Sequence, residues 1–96
     1  MKKVYSVVKS TANEWEQDLS IISTHLTKES AIKALHQEWE NDKGWIGEER
    51  LADAKNPNND CYVYEESEIM LSVYENYDYD KWHLEIYIVE NDFVEE

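Results

Sequence analysis

The sequence has few of the residues that make tight turns, since its 96 residues include only two glycines and one proline. The connections between secondary-structure elements must therefore be built largely from Asn, Asp and Ser, whose side chains stabilise turns through local hydrogen bonds. The clearest break of this kind is the run Asn-Pro-Asn-Asn-Asp at 56–60.

Cysteine and long apolar runs are also scarce. A lone Cys61 excludes an internal disulfide, and no apolar run approaches the roughly 20 residues of a membrane span. The N-terminus has the charged start of a signal peptide without an uninterrupted apolar stretch behind it. We therefore expect a soluble, cytoplasmic protein that binds no membrane.

Positive charge is the third scarcity, with 9 Lys and Arg against 22 Asp and Glu, a net charge of −13. Residues 60–96 hold twelve acids and one cation (net −11), whereas residues 1–59 hold ten acids and eight cations (net −2). Binding to a phosphate backbone requires a basic surface, so this composition opposes direct nucleic-acid binding. Such an acidic block either serves solubility or presents a negative surface to a basic partner.

Hydrophobic residues are plentiful enough for a folded core. They make up 42% of the chain and include four Trp and seven Tyr, too many for a disordered acidic tail. We expect residues 1–96 to form one domain that buries somewhat more than about 60% of the surface of the unfolded chain.

Hydrophobic patterning predicts the order of the elements. Strands over 3–9 and 19–25 form a hairpin with Trp15 in its loop, and Thr27 caps a helix over 28–42 that stops at Gly44. The segment 45–55 is typical of either a short second helix or a loop, and we favour the helix. Three further strands are predicted over 61–65, 68–75 and 82–90.

These elements predict an α+β fold, in which one main helix packs on one face of a four- to five-stranded antiparallel sheet in the order β-β-α-(α)-β-β-β. Alternate side chains of a strand point to opposite faces. The predicted core is therefore Ile32, Leu35 and Trp39 of the helix with Ile69, Leu71, Val73, Leu84, Ile86 and Ile88 of the sheet. The opposite face shows a mixed aromatic and acidic surface of Met70, Ser72, Tyr74, His83, Glu85, Tyr87 and Val89.

No motif indicates catalysis or a firm metal site. Asn76, Asp78 and Asp80 have the spacing of the first ligands of a calcium loop, but the Gly and Glu required further on are Lys81 and Tyr87. An EF-hand is thereby excluded, which leaves a weak cation site or a solvated turn.

The three histidines and Cys61 lack the spacing of zinc ligands, and the sequence has neither a nucleophile elbow nor a glycine-rich phosphate loop. We predict no enzymatic activity, cofactor or metal. A small hydrolase or nuclease is the least favoured function.

The acid pattern is the remaining functional feature. Carboxylates two residues apart on a strand lie about 6.7 Å apart, roughly twice the ~3.4 Å rise per phosphate on one DNA strand, so a row of them can imitate a stretch of backbone. The tip of the last hairpin adds accessible aromatic anchors beside its acids. The predicted partner-binding residues are Glu75, Tyr77, Asp78, Tyr79, Asp80, Glu66, Glu68 and Glu85. The expected partner is a basic, nucleic-acid-binding protein.

The chain combines a hairpin opening (KVYSVVKS, then LSIISTH), a Thr-capped helix (TKESAIKALHQEWE) and an acidic aromatic close (YDYDKWHLEIYIVE). In this layout and composition it resembles the small, acidic, uncharacterised proteins encoded by phages and prophages of Gram-positive bacteria. The resemblance implies an inhibitor of host defence or DNA-handling proteins, anti-CRISPR proteins among them, and it transfers no role to any residue.

An alternative function is a homo-oligomeric or accessory structural module. Large aromatic residues anchor interfaces because they bury much area at low entropic cost. The interface would then be formed by the aromatic residues expected to be exposed, namely Trp15, Trp45, Tyr62, Tyr64, Tyr77 and Tyr79.

Overall fold

In a computed structural model, which describes residues 2–58, 60–76, 78 and 81–93, the chain forms five strands and two helices. The elements are β1 (Lys2–Ala12), β2 (Gln17–His25), α1 (Lys28–Ile46), α2 (Glu48–Lys55), β3 (Tyr62–Ser67), β4 (Met70–Glu75) and β5 (His83–Phe93). The strands form one antiparallel sheet in the order β2-β1-β5-β4-β3. The predicted α+β fold and element order are confirmed, including the short second helix.

The first hairpin is longer than its hydrophobic run suggests. β1 continues to Ala12, because residues 10–12 pair with both β2 and β5, and the connecting loop shrinks to residues 13–16. The β1–β2 register shifts between Val7 and Val8, which pair with Ser23 and Ile21, so Ile22 is one extra residue in β2. This β-bulge moves the two halves of β2 out of step by one residue.

Helix α1 begins as predicted and ends later than predicted. The Thr27 side chain accepts a hydrogen bond from the Ser30 amide at 3.2 Å, which satisfies one of the unpaired donors of the first turn. The helix then passes through Gly44 and ends at Gly47, whose φ of 86° is readily adopted only by glycine. The prediction of a stop at Gly44 is wrong because the extra turn buries Ile46 in the core. That burial offsets the cost of about 1 kcal/mol for glycine inside a helix.

The core lies between the helices and one face of the sheet, which we call the covered face. Leu35 and Trp39 are buried as predicted, and Ile32 packs beside them. The cluster also includes residues that the periodicity did not single out, namely Val7, Ala31, Ile46, Ala54 and Trp82. α1 packs over β1, β2 and β5, whereas α2 packs over β3 and β4. Within the described residues, no helix combines the length and the apolar character that a membrane crossing requires.

Five of the six predicted sheet positions of the core are buried, namely Leu71, Val73, Leu84, Ile86 and Ile88. The prediction for Ile69 is wrong, since its side chain is 42% exposed. Ile69 belongs to the tight turn between β3 and β4, where its carbonyl accepts a hydrogen bond from the Ile88 amide at 2.9 Å. The residue lies where the strand has ended, so the alternation of the strand no longer sets its direction.

The other face of the sheet, which we call the open face, is less exposed at its centre than predicted. Ser72 and His83 are buried there, contrary to the expectation of a mixed surface. The Ser10 hydroxyl lies 2.7 Å from His83 Nε2, and the Ser72 hydroxyl donates to Glu85 at 3.3 Å. Central strands have neighbours on both sides, and these short polar groups satisfy one another across strands.

Candidate functional site

One end of the sheet brings together three connections of the chain and the start of a strand. The β1–β2 loop, the α1–α2 junction, the start of β3 and the β4–β5 connection surround a hollow of about 540 Å³. We call this hollow the aromatic pocket, and its lining residues are Asn13, Glu14, Trp15, Trp45, Arg50, Tyr62, Glu75, Lys81 and Trp82. Three of the four tryptophans of the chain lie here.

The tryptophans differ in exposure and so in what they can do. Trp82 is buried and stacks on Trp45, with ring centroids 5.3 Å apart and planes inclined by 12°. The Tyr62 ring meets Trp82 edge-on, with centroids 5.8 Å apart. Trp15 is 90% exposed on the facing loop. The pocket therefore has a fixed aromatic floor and one large aromatic side chain that projects into solvent.

Arg50, the only arginine of the chain, belongs to this floor. Its guanidinium carbon lies 4.3 Å from the Trp82 ring centroid and 5.5 Å from that of Tyr62. Cations over aromatic faces are attracted by the ring quadrupole, which contributes about 0.5–1 kcal/mol at exposed sites. The guanidinium also offers hydrogen-bond donors to any carbonyl or carboxylate that enters the pocket.

The loop that carries Trp15 is held by its first residue. Asn13 Oδ1 accepts hydrogen bonds from the amides of Trp15 at 2.8 Å and Glu16 at 3.0 Å, and the Asn13 amide donates to the Glu16 carbonyl at 2.9 Å. Asn side chains commonly close such turns by bonding the backbone ahead of them. The exposed Trp15 ring is thus presented from a loop whose backbone is already ordered.

Carboxylates surround the mouth of the pocket. Glu14 and Glu16 are exposed on either side of Trp15, and Asp18 is exposed at the start of β2. Across the pocket, Glu75 lies 3.9 Å from the Lys81 ammonium, and Asp78 is exposed in the connection to β5. An aromatic anchor and accessible negative charge therefore meet at this end of the sheet.

The predicted partner-binding residues do not form one surface. Glu75 and Asp78 lie at the pocket end, whereas Tyr77, Tyr79 and Asp80 are outside the described residues. Glu66 and Glu68 lie at the opposite end of the β3–β4 hairpin. Its strands are six residues long, so this end is about 20 Å from the pocket end. Glu68 lies 3.6 Å from the Lys28 ammonium there.

Glu85 and Glu66 also point to different faces of the sheet. Glu85 pairs with Ser72 and Ser10 on the open face, whereas Glu66 pairs with Leu71, whose side chain is in the core under the helices. Consecutive residues of a strand alternate faces. Carboxylates close together in the sequence, such as Glu65 and Glu66, therefore do not make one continuous row.

Two of the aromatic residues expected at an interface belong to the core instead. Tyr62 and Tyr64 are half-buried and pack on the core cluster. The Tyr64 ring lies 6.0 Å from that of Trp39 and under the Lys55 ammonium at 5.0 Å. Burial, together with its hydrogen bond to Glu66, raises the pKa of Tyr64 to about 12. Trp15 and Trp45 keep the exposure expected of them.

The features expected for a cation site do not converge. The Asn76 side chain donates to the Asp60 carbonyl at 2.7 Å, and the Asp78 carboxylate accepts from the Lys81 amide at 3.2 Å, so both serve the turn. Asp80 lies outside the described residues. Among the residues that the structure describes, no three His, Cys, Asp or Glu side chains are grouped to hold a metal ion.

The floor of the pocket was not predicted from the sequence. Trp45 and Arg50 lie in different helices, and Trp82 immediately precedes the last strand, so no local spacing connects them. The one available signal was composition, because the only arginine of an acidic chain lies in a segment with a tryptophan but no clear apolar stripe.

Comparison with known proteins gives no relative from which a function could be transferred. No protein-family model, curated protein sequence or solved structure matches the chain.

Proposed function

We propose that this chain is a non-enzymatic acidic binding protein that docks on a basic, nucleic-acid-binding surface of another protein and blocks it. The observation that carries this proposal is the aromatic pocket, where the exposed Trp15 is flanked by Glu14 and Glu16. Docking of this kind needs charge for attraction and a large side chain for a buried contact. Both are present at one end of the sheet.

The cations of the protein are mostly engaged internally, which leaves the field of the molecule negative. Lys3, Lys9, Lys28, Lys43 and Lys81 each lie within 4.0 Å of a carboxylate, and Arg50 and Lys55 lie over aromatic rings. A partner that approaches the pocket end therefore meets uncompensated carboxylates first. Such complementarity raises the association rate and weakens with salt.

The resemblance in layout to small phage and prophage proteins favours an inhibitor of a host DNA-handling or defence protein, the anti-CRISPR type included. A cytoplasmic location belongs to this proposal, because such partners act there. Glu66, Glu68 and Glu85 lie away from the pocket end. The carboxylates that would imitate DNA phosphates are therefore those at the pocket end only.

The test begins with capture of partners from bacterial lysate on the immobilised protein, with washes of low and high salt. We expect basic, nucleic-acid-binding proteins that are released by high salt and are also displaced by a short DNA duplex at low salt. Displacement by DNA distinguishes a decoy from a protein that binds any basic surface. Capture that resists both salt and DNA would contradict the proposal.

Two charge-reversed variants then locate the contact. Glu14→Lys with Asp78→Lys changes the pocket end, and Glu66→Lys with Glu68→Lys changes the far end by the same amount, each raising the net charge from −13 by four to −9. The pocket-end variant should lose affinity, mainly through slower association, while the far-end variant keeps most of it. Equal losses would mean that net charge alone acts.

A third variant tests the anchor. Trp15→Ala removes a 90% exposed side chain, so the fold should be unaffected, and binding to the captured partner should weaken by at least about tenfold. Unchanged binding would remove the aromatic pocket from the proposal.

The second candidate function, a homo-oligomeric module built on exposed aromatic residues, has less support. Among its six predicted residues, only Trp15 and Trp45 are exposed in the described part of the chain, because Tyr62 and Tyr64 pack on the core.

A further inference from the structure

The two edge strands of the sheet differ sharply in how they are protected. In the sheet order β2-β1-β5-β4-β3, strands β2 and β3 each have one edge without a neighbouring strand among the described residues. β3 is six residues long and carries Glu65 and Glu66, with Glu68 just beyond it. Short edges with charged side chains resist pairing with another chain.

Strand β2 has almost none of this protection. It is nine residues long (QDLSIISTH), contains no lysine or proline, and has one acid, Asp18, at its start. Leu19 and Ile21 are 66% and 68% exposed, and Ile22 is partly exposed. A long edge strand with exposed aliphatic side chains is a template for pairing with a further strand. It also belongs to the half of the chain with a net charge of only −2 (ten acids, eight cations).

The bulge in β2 determines how the strand would pair with a second copy of itself. In antiparallel pairing, directly opposed residues point to the same face. Leu19 pairs with Ser10 and Thr24 with Ser6 on the unbroken strand β1, so both lie on the open face. Asp18 pairs with Thr11 and His25 with Tyr5, which places both on the covered face.

When a regular strand pairs antiparallel with a second copy of itself, residue i of one copy lies opposite residue j of the other. The two residues face the same side only if both numbers are odd or both are even, so the sum of i and j is even. The extra residue Ile22 reverses the parity of one half of β2, so that the two halves match only when the sum is odd. Among the odd sums that oppose like faces, 43 pairs the longest stretch of β2, residues 18–25. It pairs Leu19 with Thr24, Ser20 with Ser23, and Asp18 with His25 of the second copy.

The same register separates the acids of the two copies. Each Asp18 lies opposite His25, seven residue steps from the Asp18 of the other strand, which is about 23 Å at 3.3 Å per residue. At that separation, beyond a Debye length of about 8 Å at physiological salt, the two carboxylates hardly repel each other. The exposed Ile21 and Ile22 meet at the centre of the pair.

We propose that β2 is a self-association edge, through which two copies of this chain pair antiparallel about the centre of Ile21 and Ile22 to form a ten-stranded sheet. We infer a second copy as the partner of this edge for three reasons. The register with a sum of 43 places like faces on the same side, it brings Ile21 of each copy against Ile22 of the other, and it keeps the two Asp18 carboxylates apart. Asp18, at the pocket mouth, enters this interface, whereas the lining residues of the aromatic pocket and the acids of the C-terminal half remain outside it, so the dimer presents two docking ends.

The first test is the molar mass of the full chain by light scattering after size exclusion, over a wide range of concentration and at low and high salt. We expect twice the chain mass of 11.5 kDa at high concentration. Dimerisation should strengthen with salt, because each copy carries a charge of −13. Docking on a basic partner weakens with salt, so failure of one proposal is distinguishable from failure of the other. A monomer at every concentration would overturn the dimer.

Matched variants identify the surface. Ile21→Lys places a charge at the centre of the pair and should weaken dimerisation by more than about tenfold. Ile69→Lys makes the same change at a 42% exposed isoleucine near the opposite edge and should leave the mass of the dimer unchanged. Circular dichroism shows whether each variant is folded. A dimer that survives Ile21→Lys would place the interface elsewhere.

A cross-linking test addresses the register with Cys61→Ser as the background. Leu19→Cys with Thr24→Cys should give a covalent dimer on mild oxidation, because these positions oppose each other across the two copies. The pair cannot close within one chain, since five steps along a strand span about 16 Å and a disulfide requires Cα atoms within about 7 Å. Leu19→Cys with Ser23→Cys tests the even register and should cross-link poorly. The reverse outcome would contradict the odd register.

Discussion

At the scale of single residues, the least expected contact is that of Lys9 on the covered face of the sheet. Lys9 pairs with Ile86 across the strands, and its ammonium lies 2.8 Å from Glu38 and 3.0 Å from Asp42, both in α1. Burial lowers the pKa of Lys9, but the hydrogen bonds to both carboxylates outweigh it and leave the pKa above its ordinary value. The contact joins the helix to the sheet near the aromatic pocket.

The two acids respond to Lys9 in different ways. The hydrogen bond from Lys9 lowers the pKa of Glu38, whereas burial raises the pKa of Asp42 despite the same partner. Because the pKa of Glu38 is depressed in the fold, its stabilising contribution is present above its unfolded value of 4.5 and is lost as the pH falls through the folded value.

We therefore predict that Lys9→Met lowers the free energy of unfolding by about 2 kcal/mol at pH 7, since it leaves two partly buried carboxylates without their cation. The difference from the unchanged protein should shrink as the pH falls below 4.5 and through the depressed pKa of folded Glu38. Urea unfolding at pH 7 and at a series of pH values below 4.5 measures it. Lys33→Met, at an exposed position of the same helix, is the control and should change stability by less than about 0.5 kcal/mol. A loss that did not depend on pH would show that packing of the lysine stem, and not its charge, matters.

Among the secondary-structure elements, α1 has two glycines near its end with different roles: the helix continues through Gly44 and ends at Gly47. A Cβ at either glycine would meet no atom within 4 Å beyond the adjacent residues and the helix backbone. Gly44 has the backbone conformation of the helix, whereas Gly47 has φ 86° and ψ 145°. The Gly47 amide donates to the Lys43 carbonyl at 3.1 Å, and its own carbonyl accepts from Leu51 at the same distance. Gly47 thus closes α1 and starts α2, which positions Trp45 and Arg50 in the pocket.

The two glycines give a matched pair of predictions. Gly44→Ala should raise the free energy of unfolding by about 0.5–1 kcal/mol, because alanine favours the helix and meets no neighbour. Gly47→Ala should lower it by about 1–3 kcal/mol, because its backbone conformation is strained for any residue with a Cβ. Chemical denaturation of both variants measures the effects. Equal effects of the same sign would show that the junction rearranges.

Across the whole molecule, the net charge is strongly negative, with 22 acids and only 9 cations. The carboxylates therefore repel one another in the compact state. The ion pairs lie mostly at the surface, as do Lys3–Asp92 at 2.9 Å and Lys43–Glu40 at 2.9 Å, so each contributes little. Salt weakens both the attraction within the surface ion pairs and the repulsion among the carboxylates. The repulsion is the larger of the two because the acids outnumber the cations by more than two to one.

We predict that sodium chloride stabilises the protein. A gain of about 1 kcal/mol would raise Tm by roughly 4–8 °C for a domain of this size, as thermal unfolding at low and high salt would show. The Glu66→Lys and Glu68→Lys double variant, with a net charge of −9 after a change of four from −13, should respond less to salt. Destabilisation by salt would mean that the specific ion pairs outweigh the repulsion.

The order of the elements and most of the core follow from the sequence alone. Alternation identified Leu71, Val73, Leu84, Ile86 and Ile88, and helical spacing identified Leu35 and Trp39. These signals are local, because the direction of a side chain within a strand or helix follows from the backbone period alone. The acidity of the C-terminal half was likewise fixed by composition.

Which distant residues meet depends on tertiary packing and strand pairing. The helix passes Gly44 because Ile46 finds room in the core. Trp45, Arg50 and Trp82 form one pocket because the end of α1, the start of α2 and the residue before β5 lie at the same end of the sheet. The bulge at Ile22, which sets the odd register of the β2 edge, depends on pairing with β1. Each of these outcomes is determined by packing and pairing between segments far apart in the chain, which local propensity does not specify.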